Sequence, residues 1–184
     1  MRVLMVLALM ALPAQAEDCF VGMPKQVSYD DGHVITIIQH HGGDLTYTQP
    51  YEGYQDSVHK THLMLFSKQA RFGARTTENR WTSHLPDIGD LAPGYHFDLR
   101  GTMTSGKDTE IPYRVEGEVQ GREALMVGKC SYDVLVITQN TYLDGALEIT
   151  TTNYLSPDMM VVLRAKVLQI RAGTQTDVQA VAVQ

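Results

Sequence analysis

Alternation of apolar and polar positions dominates the chain from Gln26 onward. In YHFDLRGTM, which begins at Tyr95, every second residue is apolar or small, and the residues between them are polar or charged. The same period of two continues in EIPYRVEGEV, which begins at Glu110. Successive side chains of a strand point to opposite faces, so this period is typical of antiparallel strands with one buried face. The two segments are therefore predicted to form a hairpin.

A second hairpin is predicted around Asp144 and Gly145. Asp-Gly between two alternating segments is typical of a type I′ turn, in which both central residues have positive φ. A two-residue turn pairs Tyr142 with Leu147, and the remaining pairs follow from that register: Asn140 with Ile149, Thr138 with Thr151, and Val134 with Leu155. One face then carries the apolar residues of both strands and is expected to be core; it comprises Val134, Val136, Tyr142, Leu147, Ile149 and Leu155.

Turn signals recur about every 8 to 12 residues and no strand alternates with a helix, which predicts an all-β fold. We expect residues 17–184 to form a single antiparallel β domain of about ten strands, arranged as a curled sheet, a barrel or a sandwich. The most irregular stretch is HLPDIGDLAPG, from His84 to Gly94. Its two prolines and two glycines predict a long connection between strands, and long connections are frequent places for function.

The first residues, MRVLMVLALMALPAQA, have the pattern of a secretory signal peptide. Arg2 precedes an apolar stretch, and the small residues Ala14 and Ala16 mark a cleavage site after Ala16. The apolar stretch is shorter than the roughly 20 residues that a membrane-spanning helix needs. A periplasmic protein without a transmembrane segment is therefore predicted.

Cys19 and Cys130 are the only cysteines, and both lie in the part predicted to be exported. In an oxidising compartment a lone pair of cysteines usually forms a disulfide, which we predict here. The formal net charge is −6 at pH 7. This acidic balance argues against a nucleic-acid partner, which would need a basic face to displace counterions.

The second half of the chain resembles a broad group of uncharacterised exported bacterial β-proteins. The resemblance runs from about residue 91 to 170 and rests on YRVEGE at Tyr113, GKCSYDVLVI at Gly128, and NYLSPDM at Asn153. The last segment contains a Tyr-x-Ser-Pro turn before a final long strand. The resemblance implies a curled antiparallel sheet in the periplasm. It implies no catalytic residues, because the group has no established common activity.

The apolar face of the predicted sheet is the first candidate site. Curled antiparallel sheets with bulky apolar concave faces commonly hold small hydrophobic ligands. The residues expected to line such a site are Tyr95, Phe97, Leu99, Tyr113, Val115, Leu147 and Ile149. The same residue types also build a packed core, and the sequence leaves this alternative open.

A group of histidines around Gly42 and Gly43 is the second candidate site. If the two glycines form a hairpin turn, His41 pairs with Asp44 and His40 pairs with Leu45. His59 and His62 lie on a strand and are expected to point to different faces. A zinc or copper site would have to be assembled across strands from members of this group, which comprises His40, His41, Asp44, His59 and His62.

Three functions are compatible with these patterns. The first is a non-enzymatic envelope protein that holds a lipid-like ligand or binds an envelope partner, without a cofactor. The second is a metal-binding protein or metal-dependent hydrolase that uses the histidine group. The third is a structural or assembly module that pairs an exposed edge strand with a partner chain.

Overall fold

Within the residues that the structure describes, twelve antiparallel strands form one closed barrel. The computed structural model describes residues 19–51, 54–106 and 110–184, with the backbone alone at 51 and 54–56. The predicted signal peptide over residues 1–16 lies outside the described residues. In chain order the strands are β1 (Gln26–Tyr29), β2 (Val34–His41), β3 (Asp44–Tyr51), β4 (Tyr54–His62), β5 (Phe66–Phe72), β6 (Arg75–Trp81), β7 (His96–Ser105), β8 (Glu110–Val127), β9 (Cys130–Leu143), β10 (Ala146–Ser156), β11 (Val161–Gln169) and β12 (Thr174–Val183).

Each strand pairs with its neighbours in sequence, and β1 pairs with β12 to close the ring. The prediction of an all-β antiparallel fold is confirmed, and the sheet closes as a barrel with twelve strands rather than about ten. Every described strand is paired on both sides. The third predicted function therefore finds no free edge strand within the described ranges to which a partner could add. No helix in the part of the chain that the structure describes is long and apolar enough to cross a membrane.

The up-and-down order divides the connections between the two ends of the barrel. The turns β2–β3, β4–β5, β8–β9 and β10–β11 and the long β6–β7 connection lie at one end, together with the disulfide between Cys19 and Cys130. We call this end the disulfide end. The turns β1–β2, β5–β6, β9–β10 and β11–β12 lie at the other, which we call the far end.

The predicted turn at Asp144 and Gly145 is confirmed, and both residues have positive φ, 49° and 75°. Tyr142 pairs with Leu147 as predicted, but the ladder shifts between Leu147 and Ile149. The predicted partners beyond that point are wrong by one residue: Ile149 pairs with Thr141, Thr151 with Gln139, and Leu155 with Leu135. A β-bulge with Glu148 as the extra residue causes the shift, because it sets two residues of one strand against one of its neighbour.

The buried hydrophobic side chains of the described residues form two clusters. Alternate residues of β9 join different clusters: Val134 and Val136 belong to the first, and Leu135 and Ile137 belong to the second. Both faces of this part of β9 are therefore buried. The prediction of one buried and one polar face is wrong here, because the long β8–β9 hairpin continues past a bulge between Val119 and Gly121 and is covered on both sides.

The β6–β7 connection covers the disulfide end. It runs from residue 82 to 95 without regular structure, as predicted for the His84–Gly94 stretch. Leu91 is 2% exposed, and Leu85 and Ile88 pack against the second cluster. The Gly94 amide donates to the Val119 carbonyl at 2.7 Å. This connection is thus a packed cover, and the interior of the barrel is filled beneath it.

The predicted disulfide is confirmed, with the Cα atoms of Cys19 and Cys130 separated by 5.5 Å. It fastens the segment before β1 to the start of β9. Since β1 has four residues, it is the shortest strand of the ring, and the bridge restrains the chain just before it. The two cysteines are 111 residues apart in the sequence. A disulfide that closes a loop of that length stabilises the fold by about 4–5 kcal/mol in the chain-entropy account.

Candidate functional site

A cavity of about 330 Å³ lies inside the half of the barrel formed by β10, β11, β12, β1, β2 and β3. Most of its lining is apolar or aromatic: Tyr29, Ile35, Tyr47, Met64, Val162, Ala165, Val167 and Val178. Three polar side chains join them, namely His33, Gln49 and Asn153. A concave, mainly apolar surface with a few polar groups is the usual composition of a small-molecule site.

The residues that line the cavity extend from Met64 in the β4–β5 turn at the disulfide end to His33 near the far end. His33 follows the β1–β2 turn at that end, and Val167 and Val178 are half-buried. Tyr29 and Tyr47 are nearly fully buried.

Two tyrosines form the inner wall without contributing charge. The Tyr29 hydroxyl donates to the Val162 carbonyl at 2.6 Å. Burial, with smaller contributions from Tyr47 and Asp31, raises the pKa of Tyr29. Burial also raises the pKa of Tyr47. Both phenols are therefore neutral at any physiological pH.

His59 lies beside this wall and is held in place by β3. Its ring stacks on Tyr47 with centroids 5.1 Å apart. Burial lowers the pKa of His59, which keeps the ring neutral near pH 7. The Ser57 hydroxyl donates to the Gln49 carbonyl at 2.7 Å, and His59 Nε2 lies 2.8 Å from the same hydroxyl.

This serine and histidine pair does not have the arrangement of a nucleophile and its base. Ser57 has one hydroxyl proton, which it gives to Gln49, so His59 Nε2 must donate to the serine oxygen. A general base would instead accept that proton. Ser57 is also fully buried. The pair therefore has a structural role, because its hydrogen bonds link β4 to the neighbouring strand β3 inside the barrel.

A row of polar side chains on β9 and β10 adjoins the cavity. Asn153 Nδ2 donates to Gln139 Oε1 at 2.6 Å and to Thr151 Oγ1 at 3.0 Å. Gln139 is 5% exposed, and its Nε2 has no hydrogen-bond partner. A buried donor without an acceptor is costly. Among the described residues, Thr61 Oγ1 and Asn79 Oδ1 are likewise buried without a hydrogen-bond partner.

The residues predicted to line a ligand site lie mainly in the second packed cluster. Phe97, Leu99 and Val115 are buried in it, and Tyr95 and Tyr113 pack against its margin. Phe97 also covers Gly117, where a Cβ would lie 2.5 Å from the ring. The five residues thus belong to this cluster or border it, and none of them is among the residues that line the cavity.

The other two predicted lining residues, Leu147 and Ile149, lie on different faces of the sheet. The bulge at Glu148 separates them: Leu147 pairs with Tyr142, whose hydroxyl contacts Glu116 Oε1 at 2.5 Å among charged residues, whereas Ile149 pairs with Thr141. Their grouping on one face with Tyr142 is therefore wrong, because the bulge changes the parity of the strand.

The histidine group is only partly brought together. His41 pairs with Asp44 and His40 with Leu45, as predicted, and both histidines are exposed. His59 contacts Tyr47 and Ser57 inside the barrel, whereas His62 contacts Asp44 and Pro86. The predicted divergence of His59 and His62 is confirmed. In the described ranges, no three His, Cys, Asp or Glu side chains are placed to hold one metal ion.

Asp44 and His62 do meet, and they form a structural link. His62 Nδ1 lies 2.7 Å from Asp44 Oδ1, and His62 Nε2 lies 3.0 Å from the Pro86 carbonyl. These two contacts occupy both ring nitrogens of His62, so neither is free to bind a metal. Lys68 also donates to Asp44, at 2.7 Å. An ammonium group beside the carboxylate further opposes a cation there.

The contact between Asp44 and His62 requires glycine at position 43 of the turn. A Cβ at Gly43 would lie 2.5 Å from His62 Cε1, so only glycine lets the chain pass over the ring. The pair Gly42 and Gly43 therefore serves two needs: Gly42 has a φ of 58°, and Gly43 makes room for His62. The link joins the β2–β3 turn to the cover at the disulfide end.

Several cavity residues were not anticipated from the sequence. Ala165, Val167 and Val178 lie on the last two strands, where alternation was visible but gave no indication of a cavity. Tyr29 stands next to the Asp30-Asp31-Gly32 turn, and its position in the barrel depends on the closing pair of β1 with β12. These cavity residues come together only because β1 pairs with β12, and that closing pair joins strands from opposite ends of the sequence.

Comparison with known proteins supports the fold. No protein-family model matches the sequence, and no curated protein does. The crystal structure of the hypothetical lipoprotein YmcC from Escherichia coli (K12) is similar to this chain, with a TM-score of 0.54 and 8% sequence identity. The similarity covers 89% of this chain and 89% of that one. At such low identity the similarity establishes a common fold.

Proposed function

We propose that this chain is an exported, non-enzymatic protein of the bacterial cell envelope that holds a small hydrophobic ligand inside its barrel. The main observation that supports this proposal is the cavity bounded by Tyr29, Tyr47, Val167 and Val178. Its lining is mainly apolar and extends to the far end of the barrel. Its volume of about 330 Å³ is at the lower limit for small-molecule sites. One acyl chain or a compact apolar molecule suits that size.

Export is supported by two features of the chain. The signal-peptide pattern over residues 1–16 predicts cleavage after Ala16, and the bond between Cys19 and Cys130 suits an oxidising compartment. The proposed membership in the group of exported β-proteins with a Tyr-x-Ser-Pro turn agrees with this location. The structural neighbour YmcC is described as a lipoprotein, which is a property of that protein.

The test compares a variant whose new side chain fills the cavity with a control variant whose new side chain is exposed. Native mass spectrometry of protein purified from a periplasm is expected to show a non-covalent ligand that is released on denaturation. Binding of N-phenyl-1-naphthylamine, an uncharged dye that fluoresces in apolar sites, is then measured for Val167→Trp and Leu168→Trp. Val167 lines the cavity, whereas Leu168 is 39% exposed on the opposite face of β11.

The indole of Val167→Trp occupies space that a ligand would take, so the dye affinity is expected to fall at least tenfold, while Leu168→Trp retains it. Thermal unfolding of both variants shows whether the barrel is intact. Equal dye affinity in folded forms of both variants, or a wild-type protein that neither carries a ligand nor binds the dye, contradicts the proposed function.

A further inference from the structure

We propose that the ligand of the cavity is an uncharged apolar molecule with a hydroxyl group, which donates a hydrogen bond to the side-chain oxygen of Asn153. This inference rests on the proposed function and specifies its ligand class. It follows from three observations: Asn153 lines the cavity, its side-chain oxygen accepts no hydrogen bond from a described residue, and the lining contains no Lys, Arg, Asp or Glu.

A row of three residues that pair across neighbouring strands places Asn153 in the cavity wall. Asn153 of β10 pairs with Ala165 of β11, and Ala165 pairs with Val178 of β12. Residues that lie directly opposite each other on neighbouring strands point to the same face of a sheet. All three line the cavity, so the side chain of Asn153 points into the barrel.

The Asn153 amide is held so that its oxygen remains for a ligand. Its Nδ2 donates to Gln139 Oε1 at 2.6 Å and to Thr151 Oγ1 at 3.0 Å, which uses both hydrogens of the amide. Its Oδ1 accepts no hydrogen bond from a described residue, although Asn153 is only 9% exposed. Unlike Gln139 Nε2, this oxygen is not fully enclosed by the protein, so a donor can reach it. An acceptor without a donor is costly in an apolar wall, which favours a ligand that donates to Oδ1.

The lining also disfavours a charged ligand. It includes no Lys, Arg, Asp or Glu, and its two phenols, Tyr29 and Tyr47, are neutral. His33 lies near the far end, where its Nδ1 is 2.5 Å from the exposed carboxylate of Asp31. That carboxylate would repel an anion beside His33. An ionised group inside the cavity would therefore lose its water without gaining an opposite charge, which is unfavourable.

A hydroxyl group meets both requirements of the lining. It is uncharged, and it has one hydrogen to donate to Asn153 Oδ1. Its oxygen can also accept a hydrogen bond, and the side chain of Gln49, which lines the cavity, makes no hydrogen bond to a described residue. An ether or an ester is uncharged as well but has no hydrogen to donate. An alcohol is therefore the ligand class that the lining fits best.

The test compares octan-1-ol, its isomer 1-methoxyheptane, and octanoate. Each compound displaces N-phenyl-1-naphthylamine from the wild-type protein at pH 7.5, and the decrease in fluorescence gives its affinity. Without an acceptor in the wall, the alcohol would give up its hydrogen bonds to water and bind more weakly than the ether. We expect the alcohol to bind at least as tightly as the ether, and at least about tenfold more tightly than octanoate.

The variant Asn153→Leu and its control Asn140→Leu test the role of the acceptor. Asn140 accepts from Thr150 at 2.9 Å and is not part of the cavity lining. We expect Asn153→Leu to weaken binding of the alcohol relative to the ether by about two- to tenfold, and Asn140→Leu to leave the ratio unchanged. Asn153→Leu also removes the donor to Gln139 Oε1, so the double variant with Gln139→Leu is measured as well and is expected to show the same change. Dye binding and thermal unfolding show that the cavity is intact in each variant.

The outcomes separate the inference from the function on which it rests. The ligand class is wrong, although the cavity stands, if the ether binds wild-type protein more tightly than the alcohol or if octanoate binds as tightly as the alcohol. It is equally wrong if none of the three compounds displaces the dye, or if Asn153→Leu and the double variant keep the wild-type ratio. If the wild-type protein does not bind the dye at all, the proposed function is wrong as well.

Discussion

Replacement of Gly43 by alanine tests the contact between the β2–β3 turn and His62. The new Cβ would lie 2.5 Å from His62 Cε1, whereas two carbon atoms in contact are normally about 3.5–4.0 Å apart. The ring or the turn must therefore move by about 1 Å. The ring is held on both sides, by Asp44 at 2.7 Å and by the Pro86 carbonyl at 3.0 Å, so movement weakens a hydrogen bond.

The cost follows from these two effects. Overpacking a tight site costs about 1–3 kcal/mol, and loss of a hydrogen bond from a buried group costs a similar amount. Because either the clash or the lost bond remains, we expect Gly43→Ala to lower the free energy of unfolding by about 1–3 kcal/mol. For a chain of this size the melting temperature falls by about 2–4 °C for each kcal/mol.

The assay is urea denaturation of the disulfide-intact protein, with the slope compared between variants. Gly121→Ala is the matched control, because no heavy atom lies within 4 Å of its added Cβ and its φ is not in the left-handed region. We expect that control to be neutral or stabilising by up to about 1 kcal/mol. A double variant with His62→Ala should remove most of the penalty. If Gly43→Ala is as stable as Gly121→Ala, the contact with the ring does not constrain the turn.

Two further predictions concern the bonds that hold the barrel together. Replacing Cys19 and Cys130 by serine is expected to lower the free energy of unfolding by up to about 4–5 kcal/mol, measured by urea denaturation against wild type under the same conditions; an unchanged midpoint would contradict a stabilising bridge. Partial burial acts to raise the pKa of Asp44, but hydrogen bonds from Lys68 and His62 outweigh it and the net pKa is lowered. The stability from Asp44 is thus present above its unfolded pKa, about 3.9, and is lost as pH falls below that value. Melting temperatures recorded from pH 6 to 2.5 should fall less steeply for Asp44→Asn than for wild type, and identical slopes would show that the carboxylate contributes nothing.

Local features of the fold were predictable because each rests on neighbouring residues. Asp144 and Gly145 form the predicted turn, since few residue pairs accept positive φ at both positions. The pairs of His41 with Asp44 and of His40 with Leu45 follow in the same way from the glycine turn. The bond between the two cysteines follows from their number together with the predicted export to an oxidising compartment.

The interior could not be predicted, because it depends on bulges and on ring closure. An extra residue at Glu148 reverses the face of every later position in its ladder, and no residue type marks that bulge in the sequence. The packing of both Val134 and Leu135 likewise depends on which distant strands cover β9. Asp44 and His62 meet because β3 and β4 are adjacent, whereas the acceptor at Pro86 comes from a connection without periodic structure.

Closure of the ring through β1 imposes an order on biogenesis. Val27 of β1 pairs with Val183 of β12, so β1 is synthesised first but cannot complete its pairing until β12 has been made. The cavity wall at Tyr29 is incomplete until that pairing forms. Cys19 and Cys130 both precede β12 in the chain, so their bond can form while the ring is still open. The crosslink then keeps the short β1 segment near the β8–β9 turn and shortens the conformational search that remains for the final pairing.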